Sequence, residues 1–363
     1  MKIKKLQIKN FKSLVDFELE DLKPFCAFVG PNASGKSNIF EALEFMNYVA
    51  RFNREAPDFF GGKNAVLSYQ ARPVSSNESD KAIRMDCVFV DDITINFTGE
   101  FLDTDDGFSN FATVYNQINL SNSLSTFFIQ DLEKRKQFIQ SFRKEPGRRY
   151  DDDFEQFVDG FSRVFVGKSS LNRRPIVNTK LSPDASNLST IIGSIFQNGE
   201  KRSDFIEWLQ ILIPEFKKLE VKKSNIDGSY DFLIYEKGVD KPFPRNLISD
   251  GTYNILALLS AVYQSDQPQF LCIEEPENGL HPQAIELLVD FFREQCEEKG
   301  HHIWLNTHSQ TLVRCLEIDE IILVNKIDGA TRAKQMTKED DVNIKTDEAW
   351  LSNALGGGVL WSK

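Results

Sequence analysis

The sequence predicts an α/β fold in which a mixed sheet is flanked by helices, joined by an antiparallel β subdomain and split by a mainly helical insertion. Three observations predict this fold. Near the N-terminus an apolar strand, Phe25–Val29, runs through a glycine-rich loop into a helical segment. From about residue 253 onward strands alternate with helices, which is typical of a mainly parallel sheet. Between residues 105 and 214 the apolar residues recur at helical spacing instead.

The first hundred residues are predicted to be rich in strands. Ile3–Ile8 and Val15–Leu19 alternate between apolar and polar residues, whereas Phe25–Val29 is a continuous apolar run of the buried type. After the helix that follows the glycine-rich loop, Ile83–Val90 and Ile93–Phe101 are two further strand candidates, joined by two aspartates. Together these elements are predicted to form one half of an α/β head.

The middle of the chain is predicted to be helical. Helical spacing is found in four segments, Phe127–Lys144, Phe154–Val166, Asn187–Gln197 and Ser203–Ile213. Pro214 is expected to end the last of these helices. A hairpin then follows, with strands Phe216–Lys222 and Tyr230–Tyr235 on either side of an Asp-Gly pair.

The last third returns to alternating elements. The predicted order is a helix, a strand and a helix, followed by two strands with another helix between them; the bounded elements are Tyr253–Tyr263, Phe270–Ile273, Gln283–Glu298, Ile303–Asn306 and Glu320–Val324. The domain organisation that follows has a first half of the head at 1–104, a helical insertion at 105–214, a second half of the head at 215–330 and a C-terminal tail at 331–363.

Composition limits the classes of partner and compartment. The 363 residues carry a net charge of −11, which argues against a protein coated with nucleic acid but leaves room for local basic segments. No apolar run approaches the length of a membrane span, and the lysine-rich N-terminus is not of the signal-peptide type. The five cysteines include no C-x-x-C pair, and Cys26 and Cys272 lie in apolar runs. We therefore expect reduced thiols and a cytoplasmic protein without a membrane partner.

The glycine-rich loop fits the phosphate-binding pattern G-x-x-x-x-G-K-[ST] from Gly30 to Ser37 without a mismatch. Gly30 and Gly35 allow the backbone N–H groups to point at a phosphate chain, and the following helix adds its positive end. Lys36 reaches the outer phosphates, and the Ser37 hydroxyl is a ligand for Mg²⁺. The pattern, with these flanks, predicts a site for a nucleoside triphosphate and Mg²⁺.

Two carboxylates end the strand that begins at Phe270. We expect Glu274 to anchor the metal and Glu275 to orient the water that attacks the γ-phosphate. A strand that merely ends in an acidic turn would have the same sequence, but the presence of the P-loop in this chain favours the catalytic interpretation. Since 237 positions separate Ser37 from Glu274, the two halves of the head require a large insertion between them.

Two further motifs stand at the ends of predicted elements. Ser249 offers a hydroxyl and Gly251 a bare N–H at a second helix N-terminus, although the same letters also form an ordinary capped helix start. One triphosphate cannot easily use both helix ends of one sheet, so a dimer in which each P-loop faces the partner's Ser249 is the economical solution. His308 follows a buried strand, where it can sense or stabilise charge developing on the γ-phosphate.

The four motifs, in the order P-loop, Ser-Asp-Gly-Thr, Glu-Glu-Pro-Glu-Asn-Gly-Leu-His-Pro and Thr-His-Ser, resemble the ABC-type ATPase head of the RecF, SMC and OLD group. The opening Ile8–Ser13 is similar to that group's first strand-turn, and 181–188 and 205–216 resemble its compact members without a coiled coil. The resemblance covers nearly the whole chain and is loosest between residues 105 and 180.

The resemblance implies a role for each matching position. Phosphates and Mg²⁺ would be held by Gly30, Asn32, Gly35, Lys36, Ser37 and Asn38. Ser249 and Gly251 would complete the site in the partner copy, with the loop 278–281 crossing the interface. Glu274, where the group often has Asp, would bind the metal, Glu275 would be the catalytic base and His308 the switch histidine. The glutamine that the group uses to bridge Mg²⁺ and the insertion has only Gln70 as a weak candidate.

The resemblance also implies how the chain would be used. OLD-type proteins carry a TOPRIM nuclease after the head, for which the residues after His308 leave no room, and the run Asp151–Asp153 is more typical of a solvated loop than of a nuclease. We therefore expect an ATPase that dimerises around ATP and regulates a separate effector, for which a nuclease is one candidate, in phage defence. A RecF-like ATPase that binds DNA in repair and a non-hydrolytic nucleotide-dependent scaffold remain alternatives. The opening motif argues against a transporter ATPase.

Overall fold

The computed structural model describes residues 3–68, 83–89, 93–103, 109–119, 123–127, 157–166, 179–226, 228–340 and 345–352. The strands within them are, in chain order, β1 (Ile3–Phe11), β2 (Leu14–Glu20), β3 (Phe25–Val29), β4 (Ile83–Phe89), β5 (Ile93–Asp103), β6 (Ser109–Asn119), β7 (Ser123–Phe127), β8 (Phe161–Val164), β9 (Phe216–Lys223), β10 (Tyr230–Glu236), β11 (Phe243–Pro244), β12 (Phe270–Glu274), β13 (His302–Thr307), β14 (Ile321–Ile327) and β15 (Ala330–Gln335). The helices are α1 (Lys36–Phe52), α2 (Lys63–Val66), α3 (Leu188–Ile195), α4 (Gly199–Leu212), α5 (Asp250–Tyr263), α6 (Pro282–Lys299), α7 (Gln310–Arg314) and α8 (Thr346–Leu351).

The central sheet has the strand order β15-β14-β3-β13-β12-β8. All neighbours from β14 to β8 are parallel, and only β15 runs antiparallel. Every residue of β3, β12 and β13 is buried, as expected of strands covered on both faces. Because neighbouring parallel strands end at the same edge, the residues that follow β3, β12 and β13 meet there.

The second sheet is antiparallel, in the order β2-β1-β4-β5-β6-β7. Strand β1 alternates between the core and the surface, with Ile3, Leu6, Ile8 and Phe11 inward, which the sequence pattern predicts. The sheet continues to Phe127, so strands occupy the first part of the predicted helical insertion. In β6 the aromatic and β-branched residues favour a strand, and β5 supplies an antiparallel partner along its whole length.

The predicted helix Phe154–Val166 is wrong over its second half. Residues 157–160 are helical, but Phe161–Val164 form β8, which pairs in parallel with Phe270–Ile273 of β12. The short apolar run fits both periods, and the hydrogen bonds to β12 decide in favour of the strand. The predicted helix Phe127–Lys144 lies outside the described residues apart from Phe127, which ends β7.

Helices α3 and α4 lie in the last part of the predicted insertion, and a small sheet of β11-β10-β9 follows it. The predicted hairpin is confirmed by the antiparallel register of β9 and β10. Helix α4 begins at Gly199, four residues before the predicted start at Ser203, because the Asn198 side chain accepts hydrogen bonds from the backbone N–H groups of Glu200 and Lys201.

The core consists of two hydrophobic clusters, one on each face of the central sheet. Phe25, Ala27 and Val29 of β3 pack into one cluster, and Cys26 and Phe28 pack into the other. Cys26 is a free thiol, as predicted, and its burial raises its pKa well above the ordinary value. Within the described part of the chain, no helix combines the length and the apolar character needed to cross a membrane.

Candidate nucleotide-binding site

The loop Gly30–Ser37 connects β3 to α1 and is tightly packed against the strands beside it. A Cβ atom on Gly30 would lie 2.1 Å from the Val324 carbonyl oxygen, and one on Gly35 would lie 1.9 Å from Thr331 Oγ1. Gly35 also has φ +99°, in the region that favours glycine. Both glycines of the pattern are therefore required by this backbone and by its neighbours.

Lys36 turns its ammonium group back onto the loop. Its Nζ donates hydrogen bonds to the carbonyl oxygens of Gly30 at 2.7 Å and Pro31 at 2.9 Å. Burial lowers the pKa of Lys36 to about 8, against the opposing effect of the nearby carboxylates, of which Glu275 contributes most. A phosphate group would therefore meet a partly desolvated ammonium group. To bind the phosphate, this group would give up only its hydrogen bonds to two neutral carbonyl oxygens.

Ser37 and Glu274 meet at the edge of the central sheet, as the motif order predicts. The Ser37 hydroxyl donates to Glu274 Oε2 at 2.6 Å. Asn306, at the end of the intervening strand β13, directs Nδ2 at Ser37 Oγ (3.2 Å) and Glu274 Oε2 (3.4 Å). Its Oδ1 is buried and meets no hydrogen-bond donor among the described residues. A hydroxyl and a carboxylate oxygen, beside a buried amide, fit Mg²⁺ in the type and spacing of their oxygens.

Arg163 completes this cluster and was missed from the sequence. It comes from β8 and donates through Nε to Glu274 Oε1 at 2.6 Å, with Nη2 on the same oxygen. Its Nη1 donates to Glu44 Oε2 of α1 at 2.8 Å. Burial by itself lowers the pKa of the guanidinium, but Glu274 and Glu44 together raise it above its ordinary value. The sequence did offer one signal, an arginine inside a short apolar run. A buried charge of this kind requires a partner of opposite charge, so the run indicated a buried ion pair.

Glu275 lies one residue further along, with φ 48°. Its backbone N–H donates to the Asn306 carbonyl oxygen at 2.8 Å, which ties the end of β12 to β13. On the side chain, Asn278 Nδ2 donates to Oε2 at 3.0 Å, and His308 Nδ1 lies 3.5 Å from Oε1. The predicted pair of Glu275 and His308 is thus brought together, on a partly exposed surface where a water molecule has access.

A second carboxylate of the same loop, Glu277, is buried. Thr307 donates its hydroxyl to Glu277 Oε1 at 2.5 Å and accepts the backbone N–H of Ser309 at 3.0 Å. Burial raises the pKa of Glu277. These bonds connect the loop after β12 to the loop that carries His308, a link that the sequence pattern did not indicate.

The second helix N-terminus, at α5, is exposed at Ser249. The Ser249 side chain accepts the N–H of Thr252 at 3.1 Å, which is an ordinary N-cap. A Cβ atom on Gly251 would lie 2.4 Å from the Gly279 carbonyl oxygen, so α5 begins in direct contact with the loop after Glu275. Asn254 strengthens this contact, because its Nδ2 donates to the carbonyls of Pro276 and Asn278 at 2.9 Å each.

A cleft of about 500 Å³ joins Glu275 to the start of α5. It is lined by Phe165, Val166, Asp250, Tyr253, Asn254, Glu275, Asn278 and Gly279. The predicted base and the predicted partner-facing helix end therefore border one open space.

The other predicted site residues are placed as follows. Asn32 is exposed on the loop. The side chain of Asn38 donates through Nδ2 to Ser13 Oγ at 2.7 Å and so packs α1 on the turn after β1, while its role at the phosphates stays a prediction. His281 caps α6 by accepting the N–H of Gln283 at 3.3 Å. Gln70 and Asp151–Asp153 lie outside the described residues.

Comparison with known proteins places these features in a family. Residues 25–314 match the family model described as "AAA domain, putative AbiEii toxin, Type IV TA system". A segment of 44 residues is 50% identical to the chromosome partition protein Smc of Methanocaldococcus jannaschii and covers 12% of this chain and 4% of that protein. A segment of 46 residues is 41% identical to the DNA replication and repair protein RecF of Lactococcus lactis subsp. cremoris and covers 13% of either chain. The chain thus spans only a small part of these relatives.

Two solved structures share the fold over nearly their whole length. An SMC head bound to the C-terminal winged-helix domain of ScpA superposes with a TM-score of 0.57 at 17% identity, covering 95% of this chain and 100% of that one. An SMC head with an extended coiled coil, bound to the C-terminal domain of ScpA derived from Pyrococcus furiosus, gives 0.54 at 14%, covering 93% and 97%. The fold is that of an ABC-type ATPase head of the RecF and SMC group, as predicted.

Proposed function

We propose that this chain, which belongs to the family described as "AAA domain, putative AbiEii toxin, Type IV TA system", binds ATP with Mg²⁺ and hydrolyses it. The observation that carries the proposal is the 2.6 Å contact between Ser37 of the P-loop and Glu274 of β12, with Glu275 at the next position. Two motifs 237 residues apart are joined where an ATPase needs its metal ligands and its base.

Each residue of the site has a distinct task in this proposal. The N–H groups of the loop 30–37 and the Lys36 ammonium bind the phosphate chain. Ser37 and Glu274 would hold Mg²⁺, which supplies positive charge against the phosphate oxygens. Glu275 orients the attacking water and accepts its proton, while Asn278 fixes one carboxylate oxygen and leaves the other toward His308.

We further propose that two copies close on the nucleotide and act on a separate protein. Ser249 is exposed at the N-terminus of a helix, and Gly251 and Gly279 pack that helix against the loop of Glu275. The phosphate chain bound to a facing copy could therefore be received at this helix end. The family description refers to a toxin–antitoxin system, and the two solved SMC heads are bound to ScpA, a second polypeptide. Both support an ATPase that controls an effector, which in our proposal serves phage defence.

The second candidate function is a DNA-dependent ATPase of the repair type. It is favoured by the 46-residue match to RecF, described as a DNA replication and repair protein. In that case ATP turnover rises when DNA is added, and the stimulation falls steeply with salt. A rate unaffected by DNA, together with a stable complex with the product of a neighbouring gene, supports the effector function instead.

Binding of ATP is tested with one pair of variants, and hydrolysis is tested by measuring phosphate release from the unaltered chain. We expect Lys36→Ala to abolish ATP binding in a calorimetric titration, and Lys217→Ala, an exposed lysine of β9, to bind ATP as the unaltered chain does. Normal ATP affinity in Lys36→Ala contradicts the proposed site. Binding without phosphate release in the unaltered chain supports the non-hydrolytic scaffold.

A further inference from the structure

The guanidinium of Arg163 lies between two buried carboxylates. The side chain of Arg163 is 11% exposed, and those of Glu44 and Glu274 are 4% and 1% exposed. Both Nε and Nη2 contact the same oxygen of Glu274, Oε1, while Nη1 contacts Glu44. Glu274 Oε2 is thereby left to Ser37 and Asn306. The two oxygens of one carboxylate thus have separate partners.

This division follows from the strand register. Arg163 pairs with Cys272 across the parallel strands β8 and β12. Alternate residues of a strand share one face, so Arg163 and Glu274, two positions beyond Cys272, extend from the same side of the sheet. The position of the guanidinium is fixed by a hydrogen-bonded strand rather than by a loop.

A glutamate at this position requires more restraint than an aspartate. Its side chain has one more methylene group and one more rotatable bond, so the carboxylate can take more orientations. A fork of N–H donors on one oxygen removes this freedom at the carboxylate itself.

We propose that Arg163 is a positioning residue for the metal ligand Glu274: by holding Oε1 it keeps Oε2 directed at the Ser37 hydroxyl, where the proposed function requires Mg²⁺. Arg163 itself touches neither nucleotide nor metal in this role. The proposal rests on the proposed function, since it concerns the same Mg²⁺ site.

Arg163→Lys tests this role, because lysine keeps the charge and loses the fork. The matched control is Arg293→Lys. Arg293 makes a similar forked ion pair with Glu320, through Nε at 2.7 Å and Nη2 at 2.8 Å, and its other polar partners are Asp290 and the Cys315 carbonyl. Each variant is titrated with a non-hydrolysable ATP analogue in EDTA and at increasing Mg²⁺, and its thermal unfolding is recorded.

We expect Arg163→Lys to raise the half-saturating Mg²⁺ concentration about 10- to 100-fold, the usual effect of losing a residue that orients a metal ligand. Binding of the analogue in EDTA depends on the loop and Lys36 and stays within about twofold of the unaltered chain. Arg293→Lys changes thermal stability but not the Mg²⁺ requirement. An equal fall of binding with and without Mg²⁺ in Arg163→Lys would mean a purely structural role and would overturn the proposal.

Two further outcomes separate this proposal from the proposed function. If the unaltered chain binds no analogue at all, the proposed function fails. If it binds with a clear Mg²⁺ requirement that Arg163→Lys leaves unchanged, only the role of Arg163 is refuted. Should Arg163→Lys not fold, the double variant Arg163→Met with Glu44→Gln is measured in the same way, because it preserves the net charge of the cluster. Its Mg²⁺ requirement and its binding of the analogue in EDTA are interpreted as for Arg163→Lys.

Discussion

Glu275 combines a strained backbone with a partly exposed carboxylate. Its φ of 48° lies in the left-handed region, which a residue other than glycine occupies only when its surroundings enforce it. Here the enforcing contact is the hydrogen bond from its N–H to the Asn306 carbonyl. The strain is local to the position that we assign to the base.

The role of Glu275 is tested by Glu275→Gln, which keeps the size and the hydrogen bond from Asn278 but removes the basic oxygen. We expect the rate of phosphate release to fall about 10²- to 10⁴-fold, the range of general-base catalysis, while ATP remains bound. Glu297→Gln, at an exposed position of α6, is the control and retains full turnover. Unchanged turnover in Glu275→Gln contradicts the assignment.

His301 makes the fold sensitive to acid. Its Nδ1 accepts the backbone N–H of Gln269 at 3.0 Å, and burial lowers its pKa to about 4. The unfolded chain, with an ordinary pKa near 6.5, therefore binds this proton more readily. The contribution of His301 to the free energy of unfolding should be constant above about pH 6.5. Between pH 6.5 and 4 it should lower the free energy of unfolding by up to about 3 kcal/mol.

Denaturant unfolding at several pH values measures this loss. His301→Gln, which has no proton to gain, should be less stable at pH 7.5 but lose less stability on acidification than the unaltered chain. Equal slopes against pH for the two chains would show that other groups cause the acid sensitivity.

Motif spacing and strand pairing contributed differently to the site. Lys36, Ser37, Glu274 and Glu275 stand in motifs, so their proximity could be predicted, and the contact between Ser37 and Glu274 agrees with it; their roles stay predictions. Arg163 was not, because its role depends on which strand neighbours β12, and no local pattern encodes a pairing between distant segments.

At the scale of elements, helix α5 begins in close contact with the loop after β12. Gly251 makes that contact possible, since any Cβ there would lie 2.4 Å from the Gly279 carbonyl oxygen. Helix α4 offers the opposite case, because a Cβ on Gly199 at its first residue meets nothing within 4 Å.

The comparison of Gly251→Ala with Gly199→Ala tests this contact. We expect Gly251→Ala to lower the free energy of unfolding by about 1–3 kcal/mol, because backbone atoms have to shift, and to slow ATP turnover through Glu275. Gly199→Ala should be neutral or stabilise by a few tenths of a kcal/mol. Chemical denaturation and phosphate release measure both effects, and equal stability of the two variants would contradict the packing argument.

The sequence predicted the elements best where one pattern excluded the others. Strand β3 matches its predicted bounds, since a continuous apolar run before the P-loop has no helical alternative. Strand β8 was taken for part of a helix because four residues are too few to distinguish the two periods. Strands β6 and β7 were assigned to a helical insertion because their pairing with β5 is a long-range property.

At the scale of the whole molecule, the proposed dimer sets the P-loop of one copy against the exposed Ser249 of the other. We expect ATP to convert Glu275→Gln from a monomer to a dimer, because hydrolysis no longer reopens the pair. Light scattering coupled to size exclusion measures the mass with and without nucleotide.

Ser249→Arg, introduced into Glu275→Gln, should abolish this dimer, because it blocks the surface offered to the second copy, while each monomer still binds ATP through its own P-loop. Ser194→Arg, at an exposed position of α3, is the matched control and should dimerise normally. A dimer that survives Ser249→Arg would refute the facing arrangement of the two copies.

The place of β3 between β13 and β14 has a consequence for biosynthesis. The P-loop strand leaves the ribosome before the two strands that flank it, which begin at His302 and Ile321, about 270 and 290 residues after Val29. At roughly 5–20 residues per second, the nascent chain waits about 15–60 s before these partners emerge. Until then the P-loop strand lacks both of its neighbours in the sheet, so we expect the nucleotide site to stay incomplete until most of the chain has been made.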